Sequence, residues 1–241
     1  MSVTRSRTFL RSLGRLVLIV AGAILVAPLI LVERIEFLLS RGRCELVFDS
    51  VKELLSLAPT LLGSYLRSTF YWAACEHVPP TTRLLLGSMI AHRATRIGRR
   101  CVVGAYSIIG SASLGDDVLV GSHCIILSGK GQHTWCDDHW EYTWQERRDG
   151  RVTIGDRCWI GDGAIVMDSI GDDCIVGAGA VVRRALPPRT VVAGNPARKS
   201  TYWPADGAPR APTGSASAPP GKTPDPTDEG GEGPAGDEPE R

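Results

Sequence analysis

With 27 Lys and Arg against 26 Asp and Glu, a chain of 241 residues has a formal charge of +1. That leaves no broad basic surface, and with no nucleic-acid-binding motif it excludes a DNA or RNA partner. The 43% of hydrophobic residues, the 27 glycines and the 16 prolines are spread unevenly, giving an apolar N-terminus, a periodic middle and a polar tail. Seven cysteines without a CxxC pair indicate neither a zinc site nor a disulfide framework, and fit a reducing compartment.

Leu16 to Val32 is free of charge, with Arg5, Arg7, Arg11 and Arg15 before it and Glu33 and Arg34 after it. Its length is near the lower limit of about 17–25 residues for a spanning helix. The following "VERIEF" has no small-residue cleavage site, so residues 1–40 read as a membrane anchor rather than a signal peptide. The arginines favour a cytoplasmic N-terminus, and a simple span would then place the rest of the chain outside. Pro28 removes a helical hydrogen bond within the run, so the expectation is a kinked, re-entrant hairpin that returns to the cytoplasmic face. Residues 41–85 read as helical. Glu53 to Val78 is rich in Leu and aromatics with few charges, as in a segment lying on a membrane surface or packing against the main domain.

From Ile97 an aliphatic–Gly pair recurs with a period of six. The pairs are Ile97-Gly98, Val103-Gly104, Ile109-Gly110, Leu114-Gly115, Val120-Gly121, Ile154-Gly155, Ile160-Gly161, Ile170-Gly171 and Val176-Gly177. Four residues after each aliphatic comes Cys101, Ser107, Ser113, Val118, Cys124, Cys158, Ala164, Cys174 or Ala180. Four of the seven cysteines therefore share a slot that asks only for a small buried side chain. One aliphatic, one turn-permitting glycine and one small residue make a short strand and a tight turn, and stacking them builds a parallel β-helix. The short steps Ile109 to Leu114 and Val166 to Ile170 mark irregular corners.

The repeat breaks between residues 128 and 152, in "SGKGQHTWCDDHWEYTWQERRDGRVTIG", a stretch holding two of the five histidines and three of the six tryptophans. Trp135, Trp140, Tyr142 and Trp144 offer flat apolar faces with polar edges, suited to a sugar ring or to a neighbouring subunit. Further on, Arg183, Arg184, Arg189, Arg198 and Lys199 cluster near the end of the periodic stretch, as phosphate contacts or as a solvated patch. From Pro204 the chain is rich in Pro, Gly and acids, and 203–241 is expected to be a disordered tail.

The repeat, the restart "VTIGDRCWIGDGAIV", "IVGAGAVV" and the closing "PPRTVVAGNPARK" resemble the hexapeptide-repeat acyltransferase family over about Leu86 to Lys199. The upstream "SLAPTLLGSYLRSTFYWAA" is similar to a membrane-associated, polysaccharide-related subgroup. The resemblance implies an all-β, left-handed parallel β-helix over 86–202, preceded by membrane-associated helices. It also implies a homotrimer with active sites between subunits, and acetyl-CoA as co-substrate with no permanently bound cofactor and no metal. A general-base histidine opens the family's protruding loop, which here is His133; imidazole suits the role because its pKa of about 6.5 is close to neutral.

By the same resemblance Trp159 lines the active site and Gly161, Asp162 and Ala178 follow the acyl-CoA arm, with oxyanion donors in "CWIGDG". Asp162 departs from the family's smaller residue. Arg183, Arg184 and Arg198 form the basic end of the CoA groove. Trp135, His139 and Trp140 are candidate acceptor contacts, and Asp137, Asp138 or Glu141 would orient the base. The expected activity is direct O-acetylation of a saccharide or saccharide precursor at the cytoplasmic face of the cell inner membrane. The alternatives are N-acetylation of an amino sugar or small xenobiotic, and an inactive membrane scaffold.

Overall fold

The structure is a computed structural model describing residues 2–129, 133–142 and 151–200; at positions 2–12, 133, 134, 141 and 142 it describes the backbone alone. The chain divides into units 1–209 and 210–241, and the second unit, with the expected tail 203–241, lies outside the described residues.

The periodic stretch folds as a parallel coil with three faces, each turn contributing one short strand to each face. The first face stacks Arg96–Ile97, Ala112–Leu114 and Val152–Ile154, extended by bridges from His77 to Arg96, Ile154 to Ile170 and Ile170 to Leu186. The second stacks Arg83–Leu84, Val102–Val103, Leu119–Val120, Trp159–Ile160, Ile175–Val176 and Val191–Ala193, all parallel; Arg198–Lys199 then returns antiparallel. The third stacks Met89–Ile90, Ile108–Ile109, Ile125–Ile126, Ile165–Val166 and Val181–Val182. In each two-residue strand of the coil's parallel faces the second residue points inward, so Ile90, Ile97, Val103, Ile109, Ile126, Ile160 and Val176 form one buried aliphatic column per face. Strand pairing begins at His77, upstream of the first aliphatic–Gly pair. Leu84 and Ile90 fill the aliphatic position there but are followed by Leu85 and Ala91, so the glycine signature is missing although the packing is the same.

The corners revise the role expected of the glycine. Gly98, Gly104, Gly115 and Gly121 do not adopt positive φ; a Cβ on Gly104 would lie 2.2 Å from the Gly121 carbonyl oxygen. These residues are glycine because the next turn approaches too closely for a side chain. The left-handed turn residue comes two positions later and is often not glycine: Arg100, Tyr106, Asp117, His123, Arg157, Asp173 and Arg189 all have φ between 54° and 59°. The small slot holds buried Cys101, Ser107, Val118, Cys124, Cys158, Ala164, Cys174 and Ala180. Ser113 is displaced from it, because the short step after Ile109 brings Ala112 inward instead.

Side chains tie one turn to the next. Asp116, Asp156, Asp172 and Asp162 accept the backbone N–H of Arg99, Asp116, Asp156 and Ser122 at 2.6–2.9 Å. Beside them Arg100 pairs with Asp117, and Arg157 with Asp173 at 2.6 Å.

The chain is not all-β, since three helices precede the coil. α1 (Ser2–Leu39) runs unbroken through Pro28, so no hairpin forms, and Leu13–Leu39 is long and apolar enough to cross a membrane. It docks on α3 (Thr60–Ala74) at Gly22, where a Cβ would sit 3.3 Å from Thr69 Oγ1, and buries Val26 and Glu33. Leu16, Val17, Val20, Ile24, Leu31 and Ile35 stay exposed.

α2 (Leu46–Ser56) and α3 pack on the coil, with Phe48, Phe70 and Tyr71 in mutual ring contact and the Tyr71 hydroxyl accepting the Ile90 N–H at 3.1 Å. Buried Arg67 donates to the carbonyls of Leu55, Ala58 and Leu84. Arg93, at the first coil corner, donates to Glu33 at 2.7 Å and Glu36 at 3.0 Å, with its guanidinium between the Phe37 and Phe48 rings. α1 is thereby fastened to the coil.

Candidate active site

The interruption leaves the coil after Leu127 and rejoins it at Val152, at the corner between the third and first faces. Ser128 Oγ accepts the Ser111 N–H at 2.9 Å on the way out, and Arg151 Nη1 holds Glu76 at 2.9 Å on the way back. Between them His133–Cys136 and His139–Tyr142 pair as an antiparallel hairpin turning at Asp137 and Asp138. Cross-strand partners Trp135 and Trp140 meet edge to face, 5.1 Å between centroids, and both stay more than half exposed. A buried role for this pair is excluded within one chain, which leaves two adjacent indoles free for a ligand or another surface.

His133 is paired in register with Tyr142; its side chain, like that of Glu141, lies outside the described residues, as does Trp144. Position 133 falls on the strand parity of Trp135, and position 139 on the opposite one. His139 Nδ1 lies 3.0 Å from the Asp138 carboxylate.

The basic residues converge. Arg183 and Arg184, at the same coil corner as the ribbon, join Arg198 in lining a cleft of about 320 Å³ with Val182, Leu186 and Pro196. This corner is two turns above the ribbon's exit, about 10 Å at a strand spacing of about 4.8 Å. The remaining candidates lie elsewhere. Trp159 projects, 40% exposed, from the second face, and Gly161, Asp162 and Ala178 occupy the corner between the second and third faces. The outward side of the third face, with half-exposed Ile108 and Ile125, separates the two groups. One chain alone does not bring them together.

Asp162 has a definite local job, because its carboxylate accepts the Ser122 N–H at 2.6 Å. In the turn above, Ala178 has no side-chain acceptor, and among the described residues the Asp162 N–H meets none, so a backbone donor remains unused at this corner. One turn below, Tyr106 and His123 stack at 5.3 Å with an interplanar angle of 14°. Two of the buried slot cysteines are poor nucleophiles, since burial pushes the Cys101 thiol up to about 11 and raises Cys124 as well, whereas the hydrogen bond with Cys158 lowers Cys174. Among the described residues no group of three or more His, Cys, Asp or Glu side chains is disposed to hold a metal.

A second cleft, of about 450 Å³, had no role in the sequence reading. Arg34, Arg41, Arg43, Arg93 and Arg151 line it where α1 ends and the loop rejoins the coil. Only the run "RGR" at 41–43 hinted at it, since the other arginines are brought in by folding.

Two family models match the chain, the bacterial transferase hexapeptide (six repeats) at residues 151–184 and the hexapeptide repeat of succinyl-transferase at 94–128. They cover the coil on either side of the ribbon. No curated protein matches the chain. Among solved structures, a maltose O-acetyltransferase from Clostridium difficile 630 is 22% identical with a TM-score of 0.50, over 64% of this chain and 83% of that one. The hexapeptide-repeat containing-acetyltransferase VCA0836 from Vibrio cholerae is 19% identical with a TM-score of 0.44, over 63% and 86%. The chain thus carries matched hexapeptide repeats on both sides of the ribbon, and it shares the fold of its coil with the maltose O-acetyltransferase.

Proposed function

We propose that the protein transfers an acetyl group from acetyl-CoA to a hydroxyl of a saccharide or saccharide precursor, by direct attack without a covalent enzyme intermediate. His133 takes the hydroxyl proton as the oxygen attacks the thioester carbonyl. The tetrahedral oxyanion is held by backbone N–H groups of the Asp162 corner, and collapse releases the CoA thiolate, which receives the proton from the imidazolium. Arg183, Arg184 and Arg198 hold the CoA phosphates through charge-assisted hydrogen bonds, and Trp135 and Trp140 stack on the acceptor ring. The coil winds left-handed and three copies assemble, so that the ribbon of one subunit meets the Asp162 corner of the next. The unbroken α1 lies along the membrane surface on its exposed apolar side rather than crossing, which keeps the assembly on the cytoplasmic face of the inner membrane.

One observation carries this reading: the arginine cleft and the aromatic ribbon occupy the same corner of the coil, two turns apart. A cation set for phosphates and flat faces for a sugar are what a CoA-dependent saccharide acylation requires. The test is thioester cleavage by purified protein with acetyl-CoA and a panel of nucleotide sugars, lipid-linked sugars and polysaccharides. His133→Ala is expected to lower turnover by about 10²–10⁴ with assembly unchanged, the range for loss of a general base. Equal turnover in the two proteins refutes the base, and no turnover by the wild type with any acceptor favours a scaffold.

A further inference from the structure

We propose that the cleft of about 450 Å³ at the end of α1 is a binding site for the phosphate group of a membrane lipid. The proposal rests on membrane attachment through α1 and is independent of acyl transfer.

The charge balance of the cleft favours an anion. Two carboxylates, Glu45 and Glu76, line the cleft beside five arginines, and of these cations Arg93 is engaged by Glu33, Glu36 and Glu45, and Arg151 by Glu76. Arg41 and Arg43 are exposed and form no ion pair among the described residues, and Arg34 has only a 3.7 Å approach to Glu33. Arg151 also leaves its Nε buried without a hydrogen-bond partner. Three loosely held cations and one orphaned donor therefore face a single concave space. Guanidinium groups suit phosphate oxygens because they present paired N–H donors and remain charged at any physiological pH.

Position selects a lipid over a soluble phosphate. The cleft opens where the candidate membrane helix ends, beside the strongly exposed Leu38 and Leu39, at 72% and 82%. Leu46, Leu54 and Leu57 of α2 and its following turn are exposed as well. Apolar side chains running up to a cluster of arginines are what acyl chains ending in a phosphate headgroup would meet. The cleft also reaches Arg151, where the ribbon rejoins the coil, and Ser111, whose N–H donates to Ser128 Oγ at the ribbon's exit, so a headgroup held there sits at the base of the candidate active loop.

The full chain is reconstituted in nanodiscs of phosphatidylcholine with and without phosphatidic acid, released, and read by native mass spectrometry for retained lipid. Wild type is expected to keep phosphatidic acid in preference to phosphatidylcholine. In Arg41→Ser/Arg43→Ser the retained phosphatidic acid should fall about 30-fold, since each cation near an anionic surface contributes a factor of roughly five. Because these two side chains make no ion pair among the described residues, thermal unfolding of the double variant should match wild type. Arg151→Gln, tested separately, should weaken retention while leaving the apolar border intact. Equal retention of the two lipids, or undiminished phosphatidic acid in the double variant, overturns the proposal. So does displacement of the lipid by inorganic phosphate at equal phosphate concentration, which would mark a free-phosphate site.

Discussion

Arg67→Met tests how the helices are joined to the coil. The guanidinium is 1% exposed and has no carboxylate partner among the described residues. Its four bonds of 3.1 Å or shorter run from Nε and Nη2 to Leu84 O at 3.1 and 3.0 Å, and from Nη1 to Leu55 O at 2.9 Å and Ala58 O at 2.8 Å, beside a longer Nη1 contact to Ser56 O at 3.4 Å. These bonds link α3 to the turn after α2 and to the first strand of the coil. Burial lowers the pKa of the guanidinium. Methionine keeps much of the stem's volume and removes all four bonds. At about 1.5 kcal/mol for each charged hydrogen bond, the gross loss is about 6 kcal/mol. Part of this is regained because a cation no longer has to be desolvated, a cost of several kcal/mol, leaving a net destabilisation of about 3 kcal/mol. Equilibrium urea unfolding in detergent, followed by far-ultraviolet circular dichroism, measures it. Limited proteolysis should in parallel open the turn at Leu57 to Pro59. A variant within about 0.5 kcal/mol of wild type would show that the four bonds merely replace those made to water, and would refute the reasoning.

Two further predictions concern the coil itself. Gly104→Ala forces a Cβ to 2.2 Å from the Gly121 carbonyl oxygen of the next turn and should destabilise by about 1–3 kcal/mol, the usual range for overpacking. Gly179→Ala meets no atom within 4 Å and bears only the strain of φ +67°, about 1 kcal/mol, so the order of the two urea midpoints decides between crowding and turn conformation as the reason for glycine. Acid should loosen the corner between the first and second faces. Hydrogen bonds from Arg99, Arg100 and Arg157 hold the carboxyls of Asp116, Asp117 and Asp173 below the ordinary carboxylate value. A carboxyl depressed in the folded state stabilises above its unfolded pKa of about 3.9 and loses that contribution as pH falls through the folded value. Urea midpoints should be flat from neutral pH to about pH 5 and decline below about pH 4, and Arg157→Gln should flatten part of the decline; a decline unchanged by that substitution would discount the pair.

The aliphatic position was fully legible in the sequence. Ile97, Val103, Ile109 and Val176 are buried because a coil with one inward residue per short strand must repeat that residue at a fixed period. The glycine was visible, but its reason was not. Periodicity reports that a position excludes side chains without saying whether turn conformation or a neighbouring backbone excludes them. Leu84 shows the opposite limit: it belongs to the coil, yet it lies before residue 86, where the coil was expected to begin, and no following glycine marks it.

The candidate site divides in the same way. The interruption, its aromatic residues and the arginine cluster could be read from composition and from the broken period. That Trp135 faces Trp140, and that positions 133 and 139 fall on opposite parities, depends on where the hairpin turns, and Asp137 and Asp138 fix that. Asp162 looked like a departure at a cofactor position, whereas its carboxylate is committed to Ser122 of the adjoining turn.

By itself the sequence determined the coil, its core and the location of its break, because these follow from short-range repetition. Tertiary structure alone decided the rest. α1 passes straight through Pro28, since docking of Gly22, Val26 and Glu33 on α3 and the coil outweighs one missing hydrogen bond. Arg34, Arg41, Arg43, Arg93 and Arg151 face one cleft because the end of the helix and two coil corners meet there, a juxtaposition between distant segments that no local pattern encodes.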